Sequence, residues 1–305
     1  MLIAGPNLTI DRTSSIAELR PGHVLRVRDV EVTPGGKGLN VARAALALGV
    51  PATLVAFVPG HTGRAAGALI AEEGVNLQAV PVAGEIRSTA IVLEPVRATV
   101  LNEPGPALAD GDWQAYEAAV AAAADDHRVL VCSGSLPPGA PAEGYGRLVG
   151  IAPITVVDAN GPALRAALDA GADVVTPNLA EAEGLLHGRA DESVEASPEA
   201  RGHAETAAVE LVAAGARAAV VTAAAAGAAV CAGGSVTWLA APRVGAVRNP
   251  IGAGDVLTAA LAAALEAGED VASAARRGVA AAAASVEMAR AGCFDAARMD
   301  ELLAG

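Results

Sequence analysis

From Val129 onward, short aliphatic runs alternate with longer alanine-rich stretches at helical spacing, and this rhythm leaves few architectures open to the chain. Strand-like Val129–Cys132, Thr155–Asp158, Asp173–Thr176 and Ala218–Thr222 are interleaved with helical Pro162–Ala170, Leu179–Leu186 and Ala204–Ala214. Helix Asp112–Ala124 precedes the series, and Asp255–Ala267 and Val271–Ala289 close it. Alternating β and α predicts an α/β fold: a doubly wound, mostly parallel sheet flanked by helices, with its ligand crevice at the carboxyl ends of the strands. A chain of 305 residues can bury the core such a sheet needs. With only two Trp, two Tyr and two Phe, that core must be aliphatic.

The N-terminal third is less regular. Met1–Ile10 reads as a strand ending at Asp11, Val24–Val32 as an extended segment, Val41–Leu48 as a helix, Ala52–Val58 as a strand and Arg64–Glu73 as a helix. Ser88–Glu94 and Ala98–Asn102 read as a strand pair around Pro95. The uncharged stretch Ala218–Pro242 is too rich in Ala, Gly and Thr for a membrane span and breaks at Gly227 and Gly233-Gly234; it reads as two buried strands and turns. Polar Arg189–Arg201 reads as an exposed loop. A net charge of −13 without any basic run argues against nucleic acid or an anionic membrane as partner. Cys132, Cys231 and Cys293 are isolated, with neither disulfide nor zinc spacing, and no signal-peptide pattern opens the chain; a cytoplasmic location is expected.

Two glycine-rich segments carry the chemistry. Pro34-Gly35-Gly36-Lys37-Gly38-Leu39-Asn40-Val41-Ala42-Arg43 places close-approach glycines, the chain's single lysine and an asparagine before a helix. Asn249-Pro250-Ile251-Gly252-Ala253-Gly254-Asp255 places small residues and an acid at another helix start. Backbone N–H groups and the helix dipole favour anions there, and an aspartate in the same turn is placed to take a proton from a hydroxyl. Each segment alone is an ordinary turn or cap. Together, in this order and at this separation, they resemble the two signatures of the PfkB (ribokinase-like) sugar kinases over essentially the whole chain.

The resemblance implies a ribokinase-like core over residues 1–11, 34–84 and 105–305, with a small β lid from 12–33 and 85–104 that also forms a homodimer contact. It makes Asp255 the base, with the N–H groups of Gly252, Ala253 and Gly254 stabilising charge on the transferring phosphoryl group. Asp11, Gly35, Gly36, Lys37 and Asn40 would bind the sugar. Thr176-Pro177-Asn178-Leu179-Ala180-Glu181 matches the element in which Asn178 and Glu181 help hold Mg²⁺, partly through water, and Asn178 the nucleotide; the same two residues also have the form of a capping box. ATP would lie against Thr222, Ala224, Gly227 and Gly254. Ala224 stands where the family usually has glycine, which bears on ATP affinity.

Leu101–Pro106, Cys132–Gly139 and Asp158–Gly161 look like the 1-phosphofructokinase and tagatose-6-phosphate kinase branch. In that branch Arg26, Arg87 and Ser135 would hold a phosphate already on the sugar. The expected reaction is ATP- and Mg²⁺-dependent phosphorylation of fructose 1-phosphate to the 1,6-bisphosphate, with tagatose 6-phosphate and fructose 6-phosphate behind it. Kinases of unphosphorylated sugars or nucleosides, then a non-catalytic sugar-phosphate-binding regulator, are the alternatives.

Overall fold

The computed structural model describes residues 1–95, 97–189 and 191–305. The chain begins with β1 (Leu2–Ala4), β2 (Thr9–Ser15), β3 (Val30–Gly35), α1 (Lys37–Ala47), β4 (Thr53–Phe57), α2 (Gly60–Glu72), β5 (Asn76–Val80), β6 (Arg87–Glu94) and β7 (Arg97–Asn102). It continues with α3 (Asp112–Ala122), β8 (Val129–Ser133), α4 (Gly144–Leu148), β9 (Ile154–Asp158), α5 (Gly161–Asp169), β10 (Val174–Val175), α6 (Leu179–His187) and α7 (Ala200–Ala213). Then come β11 (Ala218–Ala223), β12 (Gly227–Ala232), β13 (Ser235–Ala240), α8 (Ala253–Glu266), α9 (Val271–Ser285) and α10 (Ala296–Ala304).

Nine strands form the main sheet in the order β13-β12-β11-β10-β9-β8-β1-β4-β5. Pairing is parallel from β11 to β5, while β12 and β13 add an antiparallel edge. Alternate residues of each strand enter opposite cores. Ile3, Val129, Val131 and Val220 pack with Leu39 of α1, Leu257 of α8 and Val279 of α9. Leu2, Leu130, Cys132 and Val221 pack with Tyr116 of α3, Leu164 of α5 and Leu211 of α7. Burial on both faces explains why these strands read as continuous aliphatic runs. Few large side chains fill the space between helices and sheet, so alanine lets α8 and α9 lie close together. No helix among the described residues is long and apolar enough to cross a membrane.

The second sheet has four strands in the order β3-β2-β6-β7. Its central pair is parallel, with Asp11 opposite Thr89, and both outer pairs are antiparallel. The register puts Thr33, Asp11, Thr89 and Asn102 in one row, and Val32, Arg12, Ala90 and Leu101 in the row on the other face.

Several sequence expectations need correction. Gly5-Pro6 breaks the first strand in two, so Asp11 lies inside β2 rather than closing a strand of the main sheet. The second sheet therefore takes residues 9–11 and 34–35 as well. Val24–Val32 becomes a strand only at Val30, because its partner β2 runs out at Ser15 and the valines before it have nothing to pair with. Ala218–Pro242 holds three strands, not two, and helix α1 begins at Lys37, four residues earlier than its apolar pattern. The loop expected at 189–201 contains a 3₁₀ turn at Glu192–Ala196 and the first turn of α7.

Candidate active site

A cleft of about 960 Å³ opens between the carboxyl ends of the main-sheet strands and the second sheet. Ser133, Ala159, Asn178 and Thr222 line it from below, and Asp11, Thr89 and Asn102 line it from the second sheet. The N-terminal ends of α1 and α8 both reach it.

At the start of α8 the chain turns through Gly252, which holds φ 84° at the N-cap, a conformation open to glycine and costly for other residues. That turn buries Asp255 in the first helical turn, where it is 4% exposed. Asn40 Nδ2 donates to Asp255 Oδ2 at 2.7 Å. Burial pushes the Asp255 carboxyl up to about 7; Lys37 and the Asn40 bond pull against that rise, and Asp158 and Glu181 reinforce it. The group is thus poised to exchange a proton near neutral pH. Of the first-turn N–H groups, that of Ala253 already donates to Pro250 O at 3.3 Å, so Ala253 is less free for an anion than expected. No side chain caps this helix start, and Gly254 faces open space.

Lys37 sits between the two helix starts. Its Nζ lies 3.1 Å from Asp158 Oδ1 and 3.6 Å from Glu181 Oε1. Burial works against the ammonium, yet Asp158, Glu181 and Asp255 outweigh it and hold Lys37 firmly charged. Its side chain keeps 40% exposure toward the open cleft. The charge is therefore shared among three carboxylates and is not simply a free cation for the sugar.

At the other end, burial raises the Asp11 carboxyl, while the Thr89 and Thr9 hydroxyls, Arg43 and Arg87 pull it down. Asp11 Oδ1 is buried without a hydrogen-bond partner, as is Asn7 Oδ1. Gly35 is next to Asp11: a Cβ there would collide with the carboxylate, so this glycine makes room for a side chain rather than for a ligand. Gly36 caps α1 at φ 112° and lines the cleft. Thr9, Thr89 and Asn102 join in a hydroxyl–amide chain with contacts of 3.0 and 3.1 Å. Arg87 also lines the cleft, its guanidinium donating at 3.2–3.4 Å to the carbonyls of Asn7, Leu8 and Glu103. Ser135 Oγ accepts from Asn7 Nδ2 at 3.0 Å. Arg26 does not join them. It is exposed in the irregular stretch before β3, outside the cleft lining, for the same reason that this stretch is not a strand.

The remaining end is apolar. Val244, Val247, Val279 and Val286 line it beside Thr222, Ala224 and Gly227. Glu195, in the polar segment expected to be only a loop, lines the cleft too. Asn178 forms a capping box: its Oδ1 accepts from Glu181 N at 2.7 Å, and Glu181 Oε2 accepts from Asn178 N at 3.0 Å. This leaves Glu181 Oε1 directed toward the Lys37 side. Among the described residues no cluster of three His, Cys, Asp or Glu could hold a metal. The donors present fit Mg²⁺ only in its usual mode, one protein carboxylate with waters and phosphate oxygens completing the shell.

Sequence reading missed Asp158 as a site charge and gave no role to Arg43, although it closes the first signature, or to Glu73. Arg43 is within hydrogen-bonding distance of Asn40 at i+3 on α1, a spacing that could have flagged it. Glu73 carried no local signal, because its role exists only once α1 and α2 meet.

Residues 7–295 match the pfkB family carbohydrate kinase. Phosphofructokinase-2 from Escherichia coli, in its tetrameric inhibited form, is 28% identical over 99% of this chain and 97% of its own, with TM-score 0.86. The same protein in complex with fructose-6-phosphate is 27% identical over 100% and 98%, again with TM-score 0.86. A possible 1-phosphofructokinase from Thermotoga maritima shares the fold at 22% identity, TM-score 0.85, over 99% and 97%. The likeness thus spans both sheets and the cleft between them, and a match over nearly the full length settles the lineage: the chain belongs to the pfkB family of carbohydrate kinases.

Proposed function

We propose that this carbohydrate kinase moves the γ-phosphoryl group of ATP to a primary hydroxyl of a ketohexose phosphate, with Asp255 as base. The observation that carries the reading is the buried Asp255 at the uncapped start of α8, its carboxyl raised to about 7 by burial. With Oδ2 occupied by Asn40, Oδ1 takes the proton of the acceptor hydroxyl. The deprotonated acceptor oxygen then bonds to the γ-phosphorus while the bond from phosphorus to the bridging β–γ oxygen breaks, and ADP leaves with the electron pair. N–H groups at Gly252 and Gly254, with help from Ala253, stabilise the charge on the phosphoryl oxygens. Mg²⁺, when bound with ATP, supplies charge neutralisation between the phosphates, and Glu181 Oε1 with Asn178 beside it is the place for it. Lys37 offsets Asp158 and Glu181, so that Asp255 can ionise beside them.

For the acceptor, Asp11 lines the cleft with Oδ1 lacking a hydrogen-bond partner, which supports a role in holding a sugar hydroxyl. Arg87 and Ser135 supply the phosphate end without Arg26. Fructose 1-phosphate remains the first substrate on the sequence segments around Leu101, Ser135 and Asp158. Fructose 6-phosphate is the second reading, favoured by the 27% identical phosphofructokinase-2 solved with that sugar. Tagatose 6-phosphate and unphosphorylated acceptors follow. Val32 and Leu101, exposed on either side of Arg12 on the outer face of the second sheet, support a homodimer through the lid, and the protein is taken to work in the cytoplasm on small molecules.

The test is ADP release from MgATP with fructose 1-phosphate, fructose 6-phosphate, tagatose 6-phosphate, fructose, ribose and adenosine, beside Asp255→Asn. Turnover on a phosphosugar that the variant abolishes supports the reading. Turnover only on fructose, ribose or adenosine removes the phosphate role of Arg87, and binding without turnover revives the regulator.

A further inference from the structure

Beneath the cleft floor lies a cation that the chemistry above gives no step, although it also draws down the Asp11 carboxyl. Arg43 is 8% exposed and gives every side of its guanidinium to the protein. Nε donates to Glu73 Oε2 at 2.6 Å, and Nη2 donates to Glu73 Oε1 at 2.9 Å and Pro34 O at 2.6 Å. Nη1 donates to Asn40 Oδ1 at 3.0 Å. Glu73 is held from its other side by Arg290. A planar, obligate donor with this many fixed partners cannot swing away from Asn40.

The consequence runs through the Asn40 amide. Its two ends face groups of opposite demand: a guanidinium that only donates, and the Asp255 carboxylate that accepts. Turned over, the amide would set N–H₂ against the cation and an oxygen against the carboxylate. One orientation therefore survives, with Nδ2 on Asp255 Oδ2. Gly292 closes the remaining side, since a Cβ there would fall 2.7 Å from Asn40 Cα. The same guanidinium holds the Pro34 carbonyl, just before the Gly35-Gly36 turn.

We infer that Arg43 is a positioning residue for phosphoryl transfer, acting through Asn40: it locks the amide so that Asp255 Oδ2 is always occupied and Oδ1 is always presented to the acceptor hydroxyl. This rests on Asp255 being the base. The competing account is that Arg43 only ties α1 to α2 through Glu73.

A double-mutant cycle on kcat separates the two, using full-length protein with MgATP and the best sugar acceptor. Arg43→Met is expected to lower kcat about 10- to 100-fold, a misaligned base being that costly, while both KM values move far less. In the Asn40→Ala background Arg43→Met should leave kcat within about twofold of Asn40→Ala alone, since the intermediary is already gone. The loss of thermal stability from stranding Glu73 should appear in both backgrounds. If Arg43→Met cuts kcat by the same factor in both backgrounds, the inference falls and Arg43 is merely structural. Arg43→Lys serves the same cycle if the methionine variant does not fold, because one ammonium cannot reach Asn40, Glu73 and Pro34 together. Asp255→Asn, run alongside, keeps the failures apart. An inactive Asp255→Asn with an additive cycle sinks only the positioning role, whereas an active Asp255→Asn sinks the base assignment beneath it.

Discussion

Ala224 holds φ at 43°, the one positive φ among described non-glycine residues, at the position where the sequence comparison expects glycine. A left-handed alanine costs roughly 1–2 kcal/mol, and glycine returns part of that as chain entropy in the unfolded state. Ala224→Gly is therefore expected to stabilise the protein by about 1 kcal/mol or slightly less in urea denaturation; a loss of stability would show that the loop is held by the methyl group. Asp255 makes the opposite kind of statement. Its carboxyl is raised by burial, so the folded state binds the proton more tightly than the unfolded one. Stability is then fullest below the ordinary aspartate value of 3.8 and declines as pH rises to about 7. Asparagine cannot ionise, so Asp255→Asn should be more stable than the native chain at pH 8, on the order of 2 kcal/mol, and the gap should close toward pH 4. As a base the same group must be ionised, so kcat/KM should fall as pH drops through about 7. Equal stability differences at pH 4 and pH 8 would mean that burial does not set this carboxyl.

On the proposed reading, helix α6 has one pair of side chains that would serve structure and chemistry at once. Asn178 and Glu181 close a capping box, worth about 1 kcal/mol, and Asn178 also lines the cleft. Asn178→Asp separates the two roles, because aspartate caps as well as asparagine does. The free energy of unfolding should stay within about 0.5 kcal/mol of the native chain's, while the added charge raises KM for MgATP. Unchanged stability with unchanged KM would make Asn178 a cap and nothing more. The elements themselves were mostly legible where the physics is local. The β8–β11 strands announced themselves because burial on two faces forces aliphatic runs, and the α8 start because Gly252 and Asp255 are residue types that few other positions require. What could not be read depended on distant partners. The β-branched Val24 and Val27 suggest an extended segment but find no neighbouring strand, and Arg26 is left outside the cleft. Gly35 looked like room for a sugar, and Asp11 occupies it. Glu73 gave no hint, since its two arginines come from α1 and from the segment after α9.

At the scale of the whole molecule the second sheet has two unlike faces. One carries Asp11, Thr89 and Asn102 over the cleft; the other turns Val32 and Leu101, 41% and 63% exposed, away from it. Val30 lies on the same outer face. A four-stranded sheet with apolar side chains on its far face gains by burying them, at roughly 25 cal/mol per Å². On the proposed dimer, a second copy of the same sheet would be the occupant of that face. Charges placed there test this without touching the cleft. Val32→Glu with Leu101→Glu should shift the protein to a monomer in sedimentation velocity, with little change in melting temperature of the single chain, because both side chains already face solvent. The two faces share one backbone, so freeing the outer face should loosen the Asp11–Thr89–Asn102 row. KM for the phosphosugar is then expected to rise by a larger factor than kcat falls, with KM for MgATP unmoved, because the nucleotide end rests on the main sheet. A native chain already monomeric at assay concentration, or a double variant that still associates, would place any self-association elsewhere. A double variant that dissociates but keeps its sugar KM would leave the second sheet as an interface whose packing the acceptor does not feel.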